Sequence, residues 1–466
     1  MKIGRMLSLS WYGGVETKDL VARQVAGIHS QVDDGLWLCV EREGGSPSPS
    51  TQLIGLKMDQ CEELELSQLF YEECLMPLFH HLRKAFRFNH HHYSAYRKWN
   101  KGLAEGLASL YREGDVLWLH DAHWIPLARY LKQLQPNFPI GISFPSSFCG
   151  SEVLNTLPVA EELLDDLFYF DLVTFARDAD LQNLSDAMID LRGAVTLADK
   201  RLKKDNQMLK VAAYRPVSYV SSDEHSVDVP QDYFGMSSGD KLVLTLDVPA
   251  WFTNRTNRNQ GYELFLKDNP TLAKDLVLGS LVLPYAINND HCRSTLRRWR
   301  NEMEELNDHW RSYSRKPFRI EPASNISASI EQLYKDAKVF MDLSLGCYSC
   351  CHHSDFWWSQ DAEDPAVLIV SKLALDGNDL PGALVVHPLD VVGVSQAVKE
   401  ALLMPLSERK RRYEQLGATF KMLAPERRRA KFTFDVVEQA KKNRLMHRSP
   451  GGAESLVREP LRSVIH

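Results

Sequence analysis

The clearest hydrophobic and polar pattern in the chain spans residues 115–145: DVLWLHDAHW, then a stretch of helical spacing, then IGISFP. An apolar run, Val116 to Leu119, stops abruptly at His120, Asp121 and His123. A buried parallel strand has this form when it delivers polar groups to the carboxyl edge of its sheet. In open α/β sheets that edge is where ligands bind. Residues 125–134 read as a crossover helix and residues 139–144 as the next strand, so one βαβ unit points at a polar site. The alternation recurs on both sides. Residues 2–10, 35–40 and 172–175 predict strands, with Gly13 and Gly14 in the turn after the first; residues 20–29, 64–83 and 93–111 predict helices. Residues 41–60 are polar, with a loop at 46–50, and residues 227–239, with Pro230, Gly235 and Gly239, predict a linker. A second series follows, with strands at 242–246, 276–283, 339–343, 366–370 and 383–386 and helices at 260–268, 291–314, 329–336, 394–402 and 407–416. Two sequential blocks of alternating strands and helices predict an α/β protein of two Rossmann-like, doubly wound domains facing each other.

Length supports that division, since 466 residues exceed what one core usually fills. A net charge of -6 argues against a nucleic-acid binder working by phosphate neutralisation. No apolar run reaches about 18 residues and no signal-peptide core is evident, so no membrane span is expected. Eight cysteines without an export signal suggest reduced thiols and a cytoplasmic protein.

Asp121 is the strongest single site candidate, by its place at a strand end; the plainer alternative is a cap for the helix that follows. His123 reads as a structural hydrogen-bonding residue. Cys347, Cys350, Cys351, His352 and His353 invite a metal reading, but five candidates within seven residues cannot all converge, and the spacing is unlike a zinc ribbon or finger. The expectation is no metal, and a loop with buried thiols and solvated histidines. His90, His91 and His92 read as an exposed loop leading into a helix. Trp357 and Trp358 read as a buried aromatic pair. Arg297, Arg298, Arg300 and Arg311, interleaved with Glu302, Glu304 and Glu305, read as a solvated helix face.

Several segments, in order, carry a resemblance to a known family. Phe70 and Tyr71, then Met76 and the PLFH of residues 77–80, resemble a Tyr…Trp-Pro-Leu-Phe-His segment with methionine for tryptophan. HDAH at 120–123 resembles His-Asp-Tyr-His, FPSS at 144–147 with Leu157 and Pro158 resembles the following segment, and GALVVHPLD at 382–390 fits the end of the second block. The chain resembles the trehalose-6-phosphate synthase family of glycosyltransferases over most of residues 1–420. The resemblance implies a GT-B fold, with domains at 1–225 and 236–430, a helix at 431–448 crossing back to the first domain, and a flexible tail at 449–466. It implies retaining transfer of glucose from a nucleotide-sugar such as UDP-glucose to a sugar phosphate, without a cofactor or metal.

Such a site needs cations and backbone donors aimed at the charge developing on the leaving diphosphate. The family's Arg and Lys clamp falls on Val248 and on Thr253 or Asn254, with Asp247 retained and Arg255 and Arg258 a few residues on. Its donor-sugar acid and glycine fall on Cys347 and Tyr348, while Asp355 keeps an acid at the ribose-binding position. Its active-site histidine falls on Gly141 or near Pro145. The donor-side expectation is therefore Asp247, Arg255, Arg258 and Asp355, and the acceptor side Gly13, Gly14, His120, Asp121 and His123. Three readings follow: a glycosyltransferase of this type, an inactive relative serving as a regulatory or scaffold subunit, and a transferase with an altered clamp. The expected partners are a nucleotide-sugar and a sugar phosphate, with no nucleic acid and no membrane, and a homo-oligomer or a hetero-oligomer with an active relative.

Overall fold

The computed structural model describes residues 5–13, 25, 29, 34–42, 50–55, 62–81, 85–145, 147–197, 199–214, 233–237, 239–248, 253–283, 290–310, 316–323, 330–346, 350–375, 379–422 and 425–448. Gly14, Cys347, Tyr348, most of the expected linker and the expected tail lie outside these residues. Two sheets organise the chain. The first contains β1 (Met6–Gly13), β2 (Gly35–Arg42), β3 (Thr51–Gly55), β4 (Val116–His120), β5 (Ile140–Phe144), β6 (Leu172–Phe175), β7 (Val195–Thr196), β8 (Arg201–Lys204) and β9 (Gln207–Ala213). Its order is β3-β2-β1-β4-β5-β6-β9-β8-β7, parallel from β3 through β9 and antiparallel over the β7–β8–β9 edge. The second contains β10 (Lys241–Asp247), β11 (Leu276–Val282), β12 (Phe318–Pro322), β13 (Ala337–Asp342), β14 (Val367–Ser371) and β15 (Leu384–Val386), in the order β12-β11-β10-β13-β14-β15, all parallel.

The central strands form because they are apolar enough to be covered on both faces: every residue of β4, β5, β6, β11 and β14 is buried. The edge strands escape the hydrophobic pattern. In β3, set in the stretch expected to be polar, Thr51 and Leu53 are buried and Gln52 is exposed, the period-2 signature of a one-sided strand. β12, with Arg319 and Glu321 along it, is an edge of the same kind, and β7 is exposed throughout.

Residues 64–83 were expected as one helix, and instead an α-helix (Glu62–Phe70) passes into a π-helical turn (Tyr71–Leu75) and a short α-helix (Met76–Phe79). His90, His91 and His92 belong to the first turn of the helix His90–Leu110, capped by the Asn89 side chain accepting from His91 N at 2.8 Å, rather than to a loop before it. Among the described residues no helix is long and apolar enough to cross a membrane.

The last helix, Pro425–Arg448, follows the second sheet in sequence and packs on the first. Phe432 stacks on Trp118 at 3.6 Å and 4°. Asp435 accepts from Lys210 Nζ at 2.9 Å, from Lys431 Nζ at 3.0 Å and from Tyr214, and Asn443 donates to Asp171 at 2.9 Å. The stack requires Gly141: a Cβ there would stand 2.4 Å from Phe432 Cζ and 3.3 Å from the Leu172 carbonyl oxygen. Neither the strand backbone nor the wedged ring can yield cheaply. Gly141→Ala is therefore expected to cost about 1–3 kcal/mol by overpacking, measured by urea unfolding; an unchanged midpoint would contradict this packing.

Candidate active site

Both sheets reverse direction of winding near their centres, the first between β1 and β4 and the second between β10 and β13. The carboxyl ends at such a switch point are where open α/β sheets bind ligands. The chain places its polar strand ends at both.

At the first, Asp121 follows β4 with φ 77° and ψ 169°. That backbone region is close to glycine-only, costs about 1–3 kcal/mol for other residues, and persists where surroundings fix it. The surroundings do. Asp121 N donates to Ser143 O at 2.8 Å, Oδ1 accepts from Ala122 N at 2.7 Å, and Oδ2 accepts from Tyr71 Oη at 2.7 Å. Asp121 thus caps a single 3-10 turn (Ala122–Trp124) rather than the following helix, Leu127–Leu134, which the plainer reading expected it to cap and which has Pro126 at its N-cap, and is also held from across the site. Burial pushes its carboxyl above the usual range, against the two hydrogen bonds.

The carbonyls of the turn are pinned from behind by Tyr96 Oη on Ala122 at 2.6 Å, Asn100 Nδ2 on His123 at 3.1 Å and Trp124 Nε1 on His120 at 2.9 Å. His123 is sandwiched between Tyr71, 3.6 Å away, and Trp11, 4.6 Å away at the end of β1. Its Nδ1 has no hydrogen-bond partner among the described residues, so it acts here as a stacking plate rather than the hydrogen-bonding residue expected. His120 points to the opposite face, stacked on Trp118 at 5.3 Å, with Nε2 unpartnered among the described residues. Gly13 ends β1 opposite Arg42. Tyr71 and Trp11 were not foreseen; the π-helical turn that carries Tyr71 leaves no mark in helical spacing, though such turns recur at functional sites.

At the second switch point, Asp247 ends β10 and is gripped by Arg258, with Nη1 on Oδ1 at 2.5 Å and Nη2 on Oδ2 at 2.9 Å. Arg255 Nε lies 3.2 Å from Oδ2. Both arginines belong to the helix Arg255–Asp268, which begins earlier than its spacing suggested. Asp342 ends β13 and accepts from Ser344 N at 3.1 Å, from Ser344 Oγ at 2.6 Å and from His353 Nε2 at 2.7 Å. His353 and Ser344 hold its carboxyl below the usual range against the opposing effect of burial, which is the largest single influence.

His352 and His353, expected in a solvated loop, are buried on the helix Cys350–Ser359; His352 Nδ1 meets Tyr334 Oη at 3.0 Å. Asp355 on the same helix is fully buried. Trp357 is buried and stacked on Tyr413, but Trp358 is 45% exposed, so the two do not form a buried pair. Among the described residues no group of three or more His, Cys, Asp or Glu could hold a metal ion. The two edges approach one another at Arg177, two residues past β6: a Cβ on Gly346, beyond β13, would lie 4.0 Å from Arg177 Nη1.

The profile of Glycosyltransferase family 20 matches residues 49–422. The chain belongs to glycosyltransferase family 20. It is 26% identical over 373 residues to the trehalose-6-phosphate synthase of Sodalis glossinidius (strain morsitans), covering 79% of each chain. It is 24% identical over 420 residues to that of Enterobacter sp. (strain 638), covering 87% and 86%. An α,α-trehalose-phosphate synthase from Burkholderia xenovorans in complex with glucose-6-phosphate superimposes with a TM-score of 0.82 at 22% identity, over 93% of this chain and all of that one. An E. coli structure bound with UDP-2-fluoro glucose superimposes with a TM-score of 0.80 at 19% identity, over 93% and 99%. The fold is GT-B, as the resemblance implied.

Within this glycosyltransferase family 20 chain, the positions that the sequence resemblance aligns with the clamp carry other work. Val248 is buried, Thr253 Oγ1 donates to Val248 O at 3.3 Å, and Asn254 Nδ2 donates to Pro388 O at 2.6 Å. Gly141 lies beneath Phe432, on the face of the first sheet covered by the last helix.

Proposed function

We propose that the chain is a retaining glycosyltransferase of the trehalose-6-phosphate synthase type, moving glucose from a nucleotide-sugar such as UDP-glucose to glucose 6-phosphate or a related acceptor in the cleft between two Rossmann-like domains, residues 1–225 and 236–430. The bond from the anomeric carbon to the diphosphate breaks, a bond to the acceptor oxygen forms on the same face, and the hydroxyl proton is released. Asp121 carries this reading. A strained carboxylate fixed at the switch point by Tyr71 and its own turn is pre-organised to orient an acceptor hydroxyl, while Trp11, His123 and Tyr71 offer a stacked wall beside it. No cofactor is required for this transfer.

Calorimetric titration with glucose 6-phosphate tests the acceptor side. Binding weakened roughly tenfold or more in Asp121→Asn is expected, from loss of a charged acceptor. Equal binding in the variant would overturn the role of Asp121. A second reading, a catalytically inactive regulatory or scaffold subunit, draws support from the donor side, where Val248, Thr253 and Asn254 stand at the clamp positions.

A further inference from the structure

Trp118 joins the last helix to Asp121. Its ring is fully buried in the middle of β4, where Phe432 stacks on it at 3.6 Å and 4° and the Arg428 guanidinium lies 5.6 Å from its centroid. Both partners come from the last helix, four residues apart and so on one face. Two contacts lead on from Trp118. Its Nε1 donates to Ser143 Oγ at 2.7 Å, and the carbonyl oxygen of that same Ser143 accepts from Asp121 N at 2.8 Å. The second contact is His120, two residues along β4 on the same face and stacked on Trp118 at 5.3 Å. His120 Nε2 has no hydrogen-bond partner among the described residues, so packing against Trp118 sets the ring, and its backbone runs directly into Asp121. Asp121 depends on such support, because its φ of 77° and ψ of 169° persist only where the surroundings fix them. The far end of the connection is rooted in the second sheet. There the helix Leu406–Met422 is held by Leu416 and Phe420 in the core and by Trp357 Nε1 donating to Tyr413 O at 2.9 Å. The last helix begins three residues later, at Pro425.

We propose that Phe432 is a positioning residue for Asp121, acting through Trp118, so that the carboxylate keeps its strained conformation only while the last helix is seated on the first sheet. Its consequence for acceptor binding rests on the reading of Asp121 as the group that orients the acceptor. The seat is shaped for the ring: Gly141 leaves the space that Phe432 fills. Loss of the ring frees Trp118 to tilt, which slackens Ser143 and His120 together and lets Asp121 relax. Because the last helix follows directly on a helix rooted in the second sheet, a shift of that sheet against the first reaches Asp121 through one ring stack.

Hydrogen exchange and glucose 6-phosphate titration of the full chain test this together, in the unaltered protein, Phe432→Leu, Asp121→Asn and the double variant, with folding checked by circular dichroism. Without ligand, Phe432→Leu is expected to speed amide exchange over residues 119–124 about tenfold, while β2, in the same sheet, keeps its rate. Ser143→Ala, which leaves the helix untouched, is expected to give the same local effect, and carries the test if Phe432→Leu does not fold. In titration, Phe432→Leu is expected to weaken glucose 6-phosphate about threefold to tenfold, with no further loss in the Asp121→Asn background, since packing that acts through one carboxylate is not additive with its removal. Additive losses, or exchange raised equally over β2 and residues 119–124, would mean general packing and would overturn the proposal. Locally raised exchange in a chain that binds no glucose 6-phosphate would uphold the link to Asp121 and count against the acceptor reading.

Discussion

Acidification from pH 7.5 to pH 5.5 is expected to remove several kcal/mol of stability. His29, His80 and His123 are fully buried and each is pushed down to about 3, chiefly by burial, with Arg429 adding to the effect at His29 and His81 and Arg177 at His80. His120 is lowered in the same direction by burial, by Arg428 and by His29. Each imidazole stays neutral in the fold and takes a proton near 6.5 once unfolded, so its stabilising contribution is complete above 6.5 and is lost as pH falls from there toward 3. The slope is about 1.4 kcal/mol per pH unit per histidine in that window. Three histidines therefore cost about 4 kcal/mol over the first full unit, against a typical total stability of about 5–15 kcal/mol. Asp121, Asp166 and Asp336, whose carboxyls are raised chiefly by burial, Asp166 to about 6, work in the opposite sense as pH falls and offset part of this loss. Urea unfolding at the two pH values measures the difference. A flat profile would mean that these rings are not held neutral.

Asp247→Ala is expected to cost about 3–5 kcal/mol, the usual consequence of leaving a buried charge without its partner. Here two are left, since Arg255 and Arg258 both lean on that carboxylate and both are nearly inaccessible. The double variant Asp247→Ala/Arg258→Met removes the gripping cation with the acid and should recover part of the loss. Chemical denaturation of both variants decides this. A single-variant loss below about 1 kcal/mol would show that the pair is not the buried anchor its geometry indicates.

Much of this was legible in the chain because buried parallel strands are written as uninterrupted apolar runs. β4 and β5 were readable for that reason, and Asp121 because an apolar run ending in HDAH can only project its polar groups past the sheet edge. Edge strands carry no such run, which is why β3 and β12 passed unnoticed. Pairwise partners were less accessible still. Tyr71 reaches Asp121 from 50 residues away, through a π-helical turn that shifts its direction relative to an α-helix. His352 and His353 read as solvated because local polarity does not reveal that Asp342 and Tyr334 wait for them in the folded chain. Arg255 and Arg258 look equivalent in sequence; in the fold Arg258 makes both hydrogen bonds to Asp247, while Arg255 meets it only as an ion pair through Nε at 3.2 Å.

The central proposal is glucosyl transfer, and acceptor-dependent release of UDP tests it most directly. The full chain, incubated with UDP-glucose, should release UDP only when glucose 6-phosphate is present, with a phosphorylated disaccharide of retained anomeric configuration seen by NMR. The rate should be low, because removing even one donor that stabilises developing charge commonly costs about 10²–10³ in turnover. UDP release no greater with the acceptor than without it, and no disaccharide product, would contradict the proposal and leave the regulatory-subunit reading in its place.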